Sequence, residues 1–179
     1  MVESVQIETL AQSVEEFVTL RNEVAHTPYG GAVMMVVALL AYAQDRELGQ
    51  QCLTVAVDRE RLQKGVKGYK GWQLRNADLQ RIRLQISGKE YLPRSYFQGA
   101  TPENGYQLPS PPFVFEISEN PYSGDVASGK YKVFVTSSGA PSPRPVTVQR
   151  NDKGVWKAFE WSSLIMGVQA PHEQIEDDL

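Results

Sequence analysis

The sequence predicts an α+β protein in which N-terminal helices pack on one face of a C-terminal antiparallel sheet of about four to six strands. Apolar residues recur about every 3.6 positions along much of residues 14–86, which is the period of a helix. Beyond residue 112 they recur at every second position, which is the period of a strand with one buried face. Helices that precede strands, rather than alternating with them, favour the α+β class.

The first predicted helix covers residues 14–25. Ser13 and Glu16 have the spacing of a capping box, in which each side chain accepts a hydrogen bond from the other residue's backbone N–H. Pro28 disfavours helical geometry at the residue before it. The first helix is therefore predicted to end before Pro28.

Two further helices are predicted to follow directly. Thr27 and Pro28 fit the N-cap and first turn of a helix over residues 29–44, and Asp45 fits the N-cap of a helix over residues 46–63. The helix over residues 29–44 is apolar on nearly all sides. A helix of this kind is usually central to a core, and we expect it there.

The middle of the chain is predicted to be less regular. Glycines at three positions between residues 65 and 71 indicate a loop or a hairpin turn. Asn76 fits the N-cap of a fourth helix, and Pro93 fits the start of a single helical turn that ends at Gly99. Residues 101–112 are rich in Pro, Gly and Asn, so we expect them to cross the surface.

The last third of the chain is predicted to form strands. Alternating apolar residues mark four of them, at residues 113–117, 131–135, 146–148 and 155–161. The sequence Asn-Asp-Lys-Gly at residues 151–154 is typical of a tight turn. It predicts that the last two strands form an antiparallel hairpin.

A single α+β domain over residues 1–170 accounts for the length and the composition. The chain has 179 residues, of which 41% are hydrophobic, and this suffices to bury a core without a metal or a disulfide. One cysteine, Cys52, excludes an intrachain disulfide and fits a reducing compartment. Residues 171–179 are acidic and lack a core pattern, so we expect a mobile tail.

The sequence predicts a soluble, cytoplasmic protein that does not associate with a membrane. Residues 1–10 carry acidic side chains and no apolar stretch flanked by Lys or Arg, unlike a secretory signal. The longest apolar run, residues 31–43, is shorter than the roughly 20 residues that span a bilayer.

The sharpest candidate for a binding side chain is Arg144, which lies between Pro143 and Pro145. Each proline restricts the backbone around it, so the guanidinium is predicted to project from a stiff, extended loop. Such a group can hold a ligand's carboxylate or phosphate through two parallel hydrogen bonds. The simpler alternative is an internal ion pair with Glu116 or Glu160.

Two tryptophans extend this candidate surface. They lie on one predicted strand, where regular alternation places Trp156 and Trp161 on opposite faces. We expect one in the core; the other is expected in the core as well or, as the alternative, at a pocket or a partner surface. The predicted ligand- or partner-binding residues are therefore Arg144, Trp156, Trp161, Glu160 and Glu116.

The sequence favours a non-enzymatic role, and it assigns no catalytic, cofactor-binding or metal-binding residue. His26 and His172 are not spaced for a shared local metal site. Cys52 is predicted to face the core, where a thiol is inert. The enzymatic alternative is a small hydrolase or isomerase with a pocket between helices and sheet, in which Glu116 or Glu160 acts as the base.

A basic segment, residues 59–94, suggests a third class of function. It holds 10 of the 18 Lys and Arg residues and 3 acidic residues, with aromatic side chains interleaved. These are the ingredients of a nucleic-acid surface. The whole chain has a net charge of −3 and no recognition motif. A solvated face, or one that pairs with the acidic tail, is therefore expected for this segment. Among partners, an acidic protein is preferred over nucleic acid.

Long stretches of the chain resemble a family of bacterial proteins known only as a domain of unknown function. They are GGAVMMVVALLAY, LGQQCLTVAVDR, LPRSYFQGATPENGYQLP, NPYSGD and YKVFVTSSGAPSPRPVTVQRNDKGVWKAFEWSSL. The resemblance covers most of residues 28–168. It implies an intact domain in a bacterial cytoplasm and carries over no activity and no catalytic residue. The first hypothesis from the sequence rests instead on a rigid arginine beside aromatic residues and on the lack of a catalytic motif: it is a non-enzymatic binding module for a protein or a small acidic ligand.

Overall fold

The computed structural model describes residues 2–172, and within them four α-helices and seven strands form an α+β fold. The predicted class is confirmed. The helices are α1 (Val14–Val24), α2 (Pro28–Gln44), α3 (Arg46–Ala56) and α4 (Asn76–Ile86). The strands are β1 (Val2–Ile7), β2 (Leu62–Tyr69), β3 (Trp72–Leu74), β4 (Phe113–Ser118), β5 (Lys130–Val135), β6 (Arg144–Arg150) and β7 (Trp156–Glu160). Of the predicted acidic tail, residues 173–179 lie outside the described residues.

The main sheet has five strands in the order β1-β4-β5-β6-β7, and every neighbouring pair is antiparallel. The predicted hairpin between the last two strands is confirmed, with Arg150 opposite Trp156. Alternate residues of the sheet are buried against the helices, as a two-residue period requires. They include Phe115, Ile117, Val133, Val146, Val148 and Ala158.

The central helix α2 packs directly on the sheet, as its all-round apolar sequence predicts. The Thr27 side chain accepts a hydrogen bond from the Gly30 N–H at 3.1 Å and begins the helix. At Gly31 a Cβ atom would lie 2.8 Å from both the Cβ and the backbone oxygen of Trp156. The α2 backbone therefore touches β7, and only glycine fits at that contact. Within residues 2–172 no helix has the length and apolar character that crossing a membrane requires.

Helix α3 ends at Ala56, whereas the sequence predicted a helix to residue 63. Val57 leaves the helix and forms a parallel bridge with Ala158 of β7, and the Asp58 N–H donates to the Ala158 oxygen at 2.8 Å. Residues 62–69 then form β2, which pairs with β3 in a two-stranded hairpin. Tertiary pairing with β7 thus overrides the helical pattern beyond Ala56.

Two other details differ from the sequence prediction. The first strand, β1, was not predicted, and it pairs with β4 along its whole length. The fourth helix begins at Asn76, which was predicted to be its N-cap, and Arg75 occupies the N-cap without a side-chain hydrogen bond. The Asn76 side chain instead accepts a hydrogen bond from Gln73 Nε2 at 3.3 Å. The predicted turn near Pro93 is present as a short 3₁₀ helix, Leu92–Tyr96.

Candidate functional site

A polar cavity of about 510 Å³ lies beside β7, and we call it the β7 cavity. Four separate segments of the chain line it. They are Arg21 in the last turn of α1, residues 58–60 after α3, residues 149–153 at the turn between β6 and β7, and Lys157 of β7.

Backbone hydrogen bonds to β7 hold two of these segments in place. The Trp156 N–H donates to the Ala25 oxygen at the end of α1, at 2.7 Å. The Asp58 N–H donates to the Ala158 oxygen at 2.8 Å. These contacts lie on either side of Lys157 along the strand. The end of α1 and the exit from α3 are therefore both fixed relative to the lysine.

The turn between β6 and β7 is fixed by its asparagine. The Asn151 N–H donates to the Val155 oxygen at 2.8 Å. Its Oδ1 accepts from the backbone N–H groups of Lys153 and Val155, at 2.9 and 3.0 Å. Gly154 has a φ of +79°, in the left-handed region that favours glycine. The sequence Asn-Asp-Lys-Gly thus builds a rigid wall of the cavity.

Cations outnumber carboxylates in the β7 cavity. The lining has the carboxylates Asp58, Glu60 and Asp152, and the cationic side chains Arg21, Arg59, Arg150, Lys153 and Lys157. Among residues 2–172, the one salt bridge within 4.0 Å joins Arg61 to Glu160, outside this lining. None of the five cations is therefore neutralised by a described carboxylate in direct contact. A cleft with an excess of one charge attracts ligands of the opposite charge.

The buried carboxylate of the cavity, Asp58, forms hydrogen bonds within the protein. Asp58 is only 5% exposed. Its Oδ1 accepts from the Glu60 N–H at 2.9 Å and from Gln149 Nε2 at 3.4 Å. It therefore caps the 3₁₀ turn Arg59–Arg61 and contacts β6, and it neutralises only part of the positive charge around it.

Lys157 is the least ordinary ionisable group of the cavity. The side chain is partly buried. Loss of hydration is the main cause that lowers the pKa of its ammonium to about 8, and the nearby positive charge of Arg21 lowers it further. The negative charge of Asp58 opposes the shift in part. At pH 7, roughly a tenth of the protein molecules then carry Lys157 as the neutral amine.

Neighbouring side chains restrict the three guanidinium groups of the cavity. The Arg59 guanidinium lies 4.7 Å from the Trp72 ring centroid, and that of Arg150 lies 5.4 Å from the Trp156 ring centroid. Arg21 donates from Nε and Nη2 to Asn22 Oδ1, at 3.2 and 2.9 Å. Such contacts reduce the conformational freedom that an arginine loses when it binds an anion.

Arg144, the sharpest residue of the sequence prediction, makes its hydrogen bonds inside the protein. Its Nη1 donates to the backbone oxygens of Ser163 and Met166, at 3.0 and 2.9 Å, and its Nη2 donates to the Gly167 oxygen at 2.8 Å. These bonds fasten the segment after β7 to β6. The predicted alternative, an ion pair with Glu116 or Glu160, is wrong, because the guanidinium bonds to carbonyl oxygens instead.

Both predicted tryptophans are buried, Trp156 to 3% and Trp161 to 5% exposure. Trp161 lies just past the end of β7, at the cap of the 3₁₀ turn Ser162–Ile165, so strand alternation does not reach it. Glu160 pairs with Arg61. The structure therefore does not bring the five predicted binding residues together. Trp156 alone is connected to the β7 cavity, through Arg150.

Glu116 reaches a different and smaller cavity. That cavity has a volume of about 130 Å³, and Ser95, Thr136 and Ser138 lie in its lining. Ser95 is buried and accepts a hydrogen bond from the Ser137 hydroxyl at 2.9 Å. The hydrolase or isomerase hypothesis requires a cavity that reaches Glu116 or Glu160, and this cavity reaches Glu116.

Cys52 lies in the core as expected, and burial raises the pKa of its thiol to about 12, so it is a poor nucleophile. His26 is exposed, and His172 Nε2 lies 3.1 Å from Gln169 Nε2. Within residues 2–172, no three His, Cys, Asp or Glu side chains are grouped to hold a metal ion. The basic segment contributes Arg59 to the β7 cavity.

Sequence reasoning missed the β7 cavity because its lining residues are far apart in the chain. Arg21 and Lys157 are separated by most of the domain, and no motif connects them. One local signal was present. In the strand Trp-Lys-Ala-Phe-Glu, the charged Lys157 has an apolar residue on each side, and the structure buries both of these neighbours.

Comparison with known proteins gives one match. A protein family described as a domain of unknown function (DUF6935) matches residues 9–172. No curated protein and no solved structure matches the chain significantly. The matched range includes all four segments that line the β7 cavity.

Proposed function

The chain belongs to the DUF6935 family, whose description assigns no activity, and we propose its function from its own geometry: it is a binding module that holds a small acidic ligand in the β7 cavity. The observation that carries this proposal is the group of five cations that have no carboxylate in direct contact among the described residues.

The size and the chemistry of the cavity support a small anion. Its volume of about 510 Å³ lies within the range of typical ligand pockets, roughly 300–1,000 Å³. A guanidinium forms paired hydrogen bonds to carboxylates and phosphates, and these bonds are stronger when water is partly excluded. Arg21 and Lys157 are both partly buried, so they supply that environment.

Binding is favoured over hydrolysis at this site. Hydrolysis of the serine- or cysteine-hydrolase type needs a hydroxyl or thiol beside a base, and the lining of the β7 cavity contains no Ser, Thr, Cys or His. The Glu116 cavity does contain hydroxyl groups, but its volume of about 130 Å³ is below the usual range for a substrate pocket. The hydrolase and nucleic-acid hypotheses therefore rank second and third, and a bacterial, cytoplasmic setting remains a prediction.

Isothermal titration calorimetry at low ionic strength tests the proposal, with citrate, oxalate and inorganic phosphate as probes. We expect binding at one site, weakened by added salt because it is electrostatic. Arg21→Gln removes one cation from the cavity and should weaken binding about tenfold, since hydrogen bonds to charged groups contribute about 1.5–3 kcal/mol.

Arg83→Gln is the matched control, because Arg83 is exposed on α4 and does not line the cavity. It should leave the affinity unchanged. The proposal is wrong if none of the three anions binds, or if the two variants weaken binding equally.

A further inference from the structure

We propose that Lys157 is a covalent receptor for a small oxo acid: its amine condenses with the ligand's carbonyl group while Arg21 and Arg150 hold the ligand's carboxylate. This inference rests on the proposed function, because it names the ligand class of the same cavity. It adds a chemical role for one residue that anion binding alone does not require.

The backbone of Lys157 is held firmly. On either side of it along β7, Trp156 and Ala158 are buried and hydrogen-bonded to the ends of α1 and α3. Lys157 lies opposite Gln149 in a regular antiparallel pair. The stem of the side chain therefore begins at a fixed point in the wall of the cavity. A lysine with a fixed backbone samples fewer orientations than a mobile surface lysine, and this favours its reaction with a bound carbonyl group.

The amine is not engaged by an ion pair. No carboxylate of residues 2–172 lies within 4.0 Å of Lys157 Nζ. Charged groups face it from each neighbouring segment: Arg21 from α1, Asp58, Arg59 and Glu60 from the loop after α3, and Arg150, Asp152 and Lys153 from the turn. The cations are in excess, and they disfavour a further positive charge on Nζ.

The neutral amine is the form that attacks a carbonyl group, and this environment supplies it. With its pKa lowered to about 8, Lys157 has roughly 200- to 300-fold more neutral amine at pH 7 than an ordinary lysine. Desolvation and a neighbouring cation are the two recognised means of activating a lysine for Schiff-base formation. Both act on Lys157.

The reaction is balanced and needs no other reagent. Nζ attacks the carbonyl carbon, and a proton moves from nitrogen to the former carbonyl oxygen to give a carbinolamine. Loss of water, which takes that oxygen, forms the C=N bond of an imine. Water reverses the sequence and releases the ligand unchanged. The ligand's carboxylate takes no part in bond formation and remains ionised between the guanidinium groups.

Reductive trapping tests the inference, with glyoxylate as the probe and sodium cyanoborohydride as the reductant. Intact mass and peptide mapping should find one main adduct, at Lys157. The rate of trapping should rise as the pH approaches 8, because more of the amine is neutral. Lys157→Arg keeps the charge but lacks a reactive amine, so the adduct should be lost. Lys89→Arg changes an exposed lysine outside the lining and should leave the adduct unchanged.

Formaldehyde is the matched probe without a carboxylate. The preference for glyoxylate over formaldehyde should be about tenfold greater at Lys157 than at Lys89, which is exposed and outside the lining, and Arg21→Gln should abolish that difference. Equal preference at the two lysines, or an adduct no faster at Lys157 than at Lys89, would overturn the inference. If citrate still binds in calorimetry while glyoxylate gives no adduct at Lys157, covalent capture is wrong and the anion site stands.

Discussion

The two sides of β7 are built on opposite principles. Toward α2, Trp156 and Ala158 are buried, and the backbone of Gly31 approaches so closely that no side chain fits between helix and strand. Toward the β7 cavity, Lys157 faces arginines and carboxylates across an open space. Adjacent residues of one strand thus belong to a tight apolar contact and to a polar cavity.

The difference indicates how stability and chemistry are divided within the domain. The side that faces α2 gains free energy from close contact and lost apolar surface. The cavity side keeps an ammonium group partly out of water without a contacting counter-ion, which costs stability. Free energy is often given up at functional sites in this way. Substitutions on the two sides should therefore change stability in opposite directions.

The largest effect is expected at Gly31. Gly31→Val should lower the free energy of unfolding by about 3 kcal/mol, because even its Cβ would lie 2.8 Å from backbone and side-chain atoms of Trp156. Urea denaturation followed by circular dichroism should give a lower midpoint at an unchanged slope.

Gln44→Val is the control for this change, since Gln44 is exposed at the end of the same helix. It introduces the same β-branched side chain and should cost less than about 1 kcal/mol. If both variants lose stability equally, contact with β7 does not explain the effect of Gly31→Val.

Removing the amine on the cavity side should stabilise the protein. Lys157→Met should raise the free energy of unfolding at pH 7 by on the order of 1–2 kcal/mol, because the unfolded chain binds the proton more tightly than the folded one does. The gain is largest below pH 8, where the folded lysine is charged. It should shrink between pH 8 and about 10.5, where the unfolded lysine also loses its proton.

Lys153→Met is the matched control, because Lys153 lines the same cavity but is exposed. It should change the free energy of unfolding at pH 7 by less than about 0.5 kcal/mol, as is usual for an exposed substitution. A Lys157→Met protein that is less stable than the parent at pH 7 would contradict the description of the cavity as a costly site.

The tightly packed side of β7 was largely predictable from sequence, since it depends on local periodicity. The alternation through β4, β5 and β7, the turn at residues 151–154 and the all-apolar run of α2 each signal their own structure. The strand β1 escaped prediction because it is an edge strand whose polar residues, Glu3, Ser4 and Gln6, do not alternate regularly with its apolar ones. The end of α3 was misplaced because a bridge from Val57 to a residue 101 positions away decides it.

The cavity side was not predictable, because the spacing of charged residues along the chain does not indicate which of them meet in the fold. Arg21 appears in the sequence as an ordinary basic residue in the last turn of a helix, and Asp58 appears as one of many acids. Only the fold brings them to Lys157. Arg144 had the stronger local signal, with a proline on each side, yet its guanidinium serves the fold by bonding to three carbonyl oxygens. Local rigidity did not distinguish a structural arginine from a binding one.

The smallest effect is expected at the end of β7, where the two sides meet. Glu160→Gln removes the ion pair with Arg61, whose side chains are 59% and 31% exposed. Exposed ion pairs contribute about 0.2–1 kcal/mol, so the free energy of unfolding should fall by less than 1 kcal/mol and the loss should shrink in high salt. Arg61→Ala should cost more, since this guanidinium also lies 4.0 Å from the centroid of the Phe159 ring. Denaturant titrations of both variants at low and high salt make the comparison. A larger loss of stability for Glu160→Gln than for Arg61→Ala would mean that the charge of Glu160 contributes more to stability than the contacts of Arg61, which contradicts this prediction.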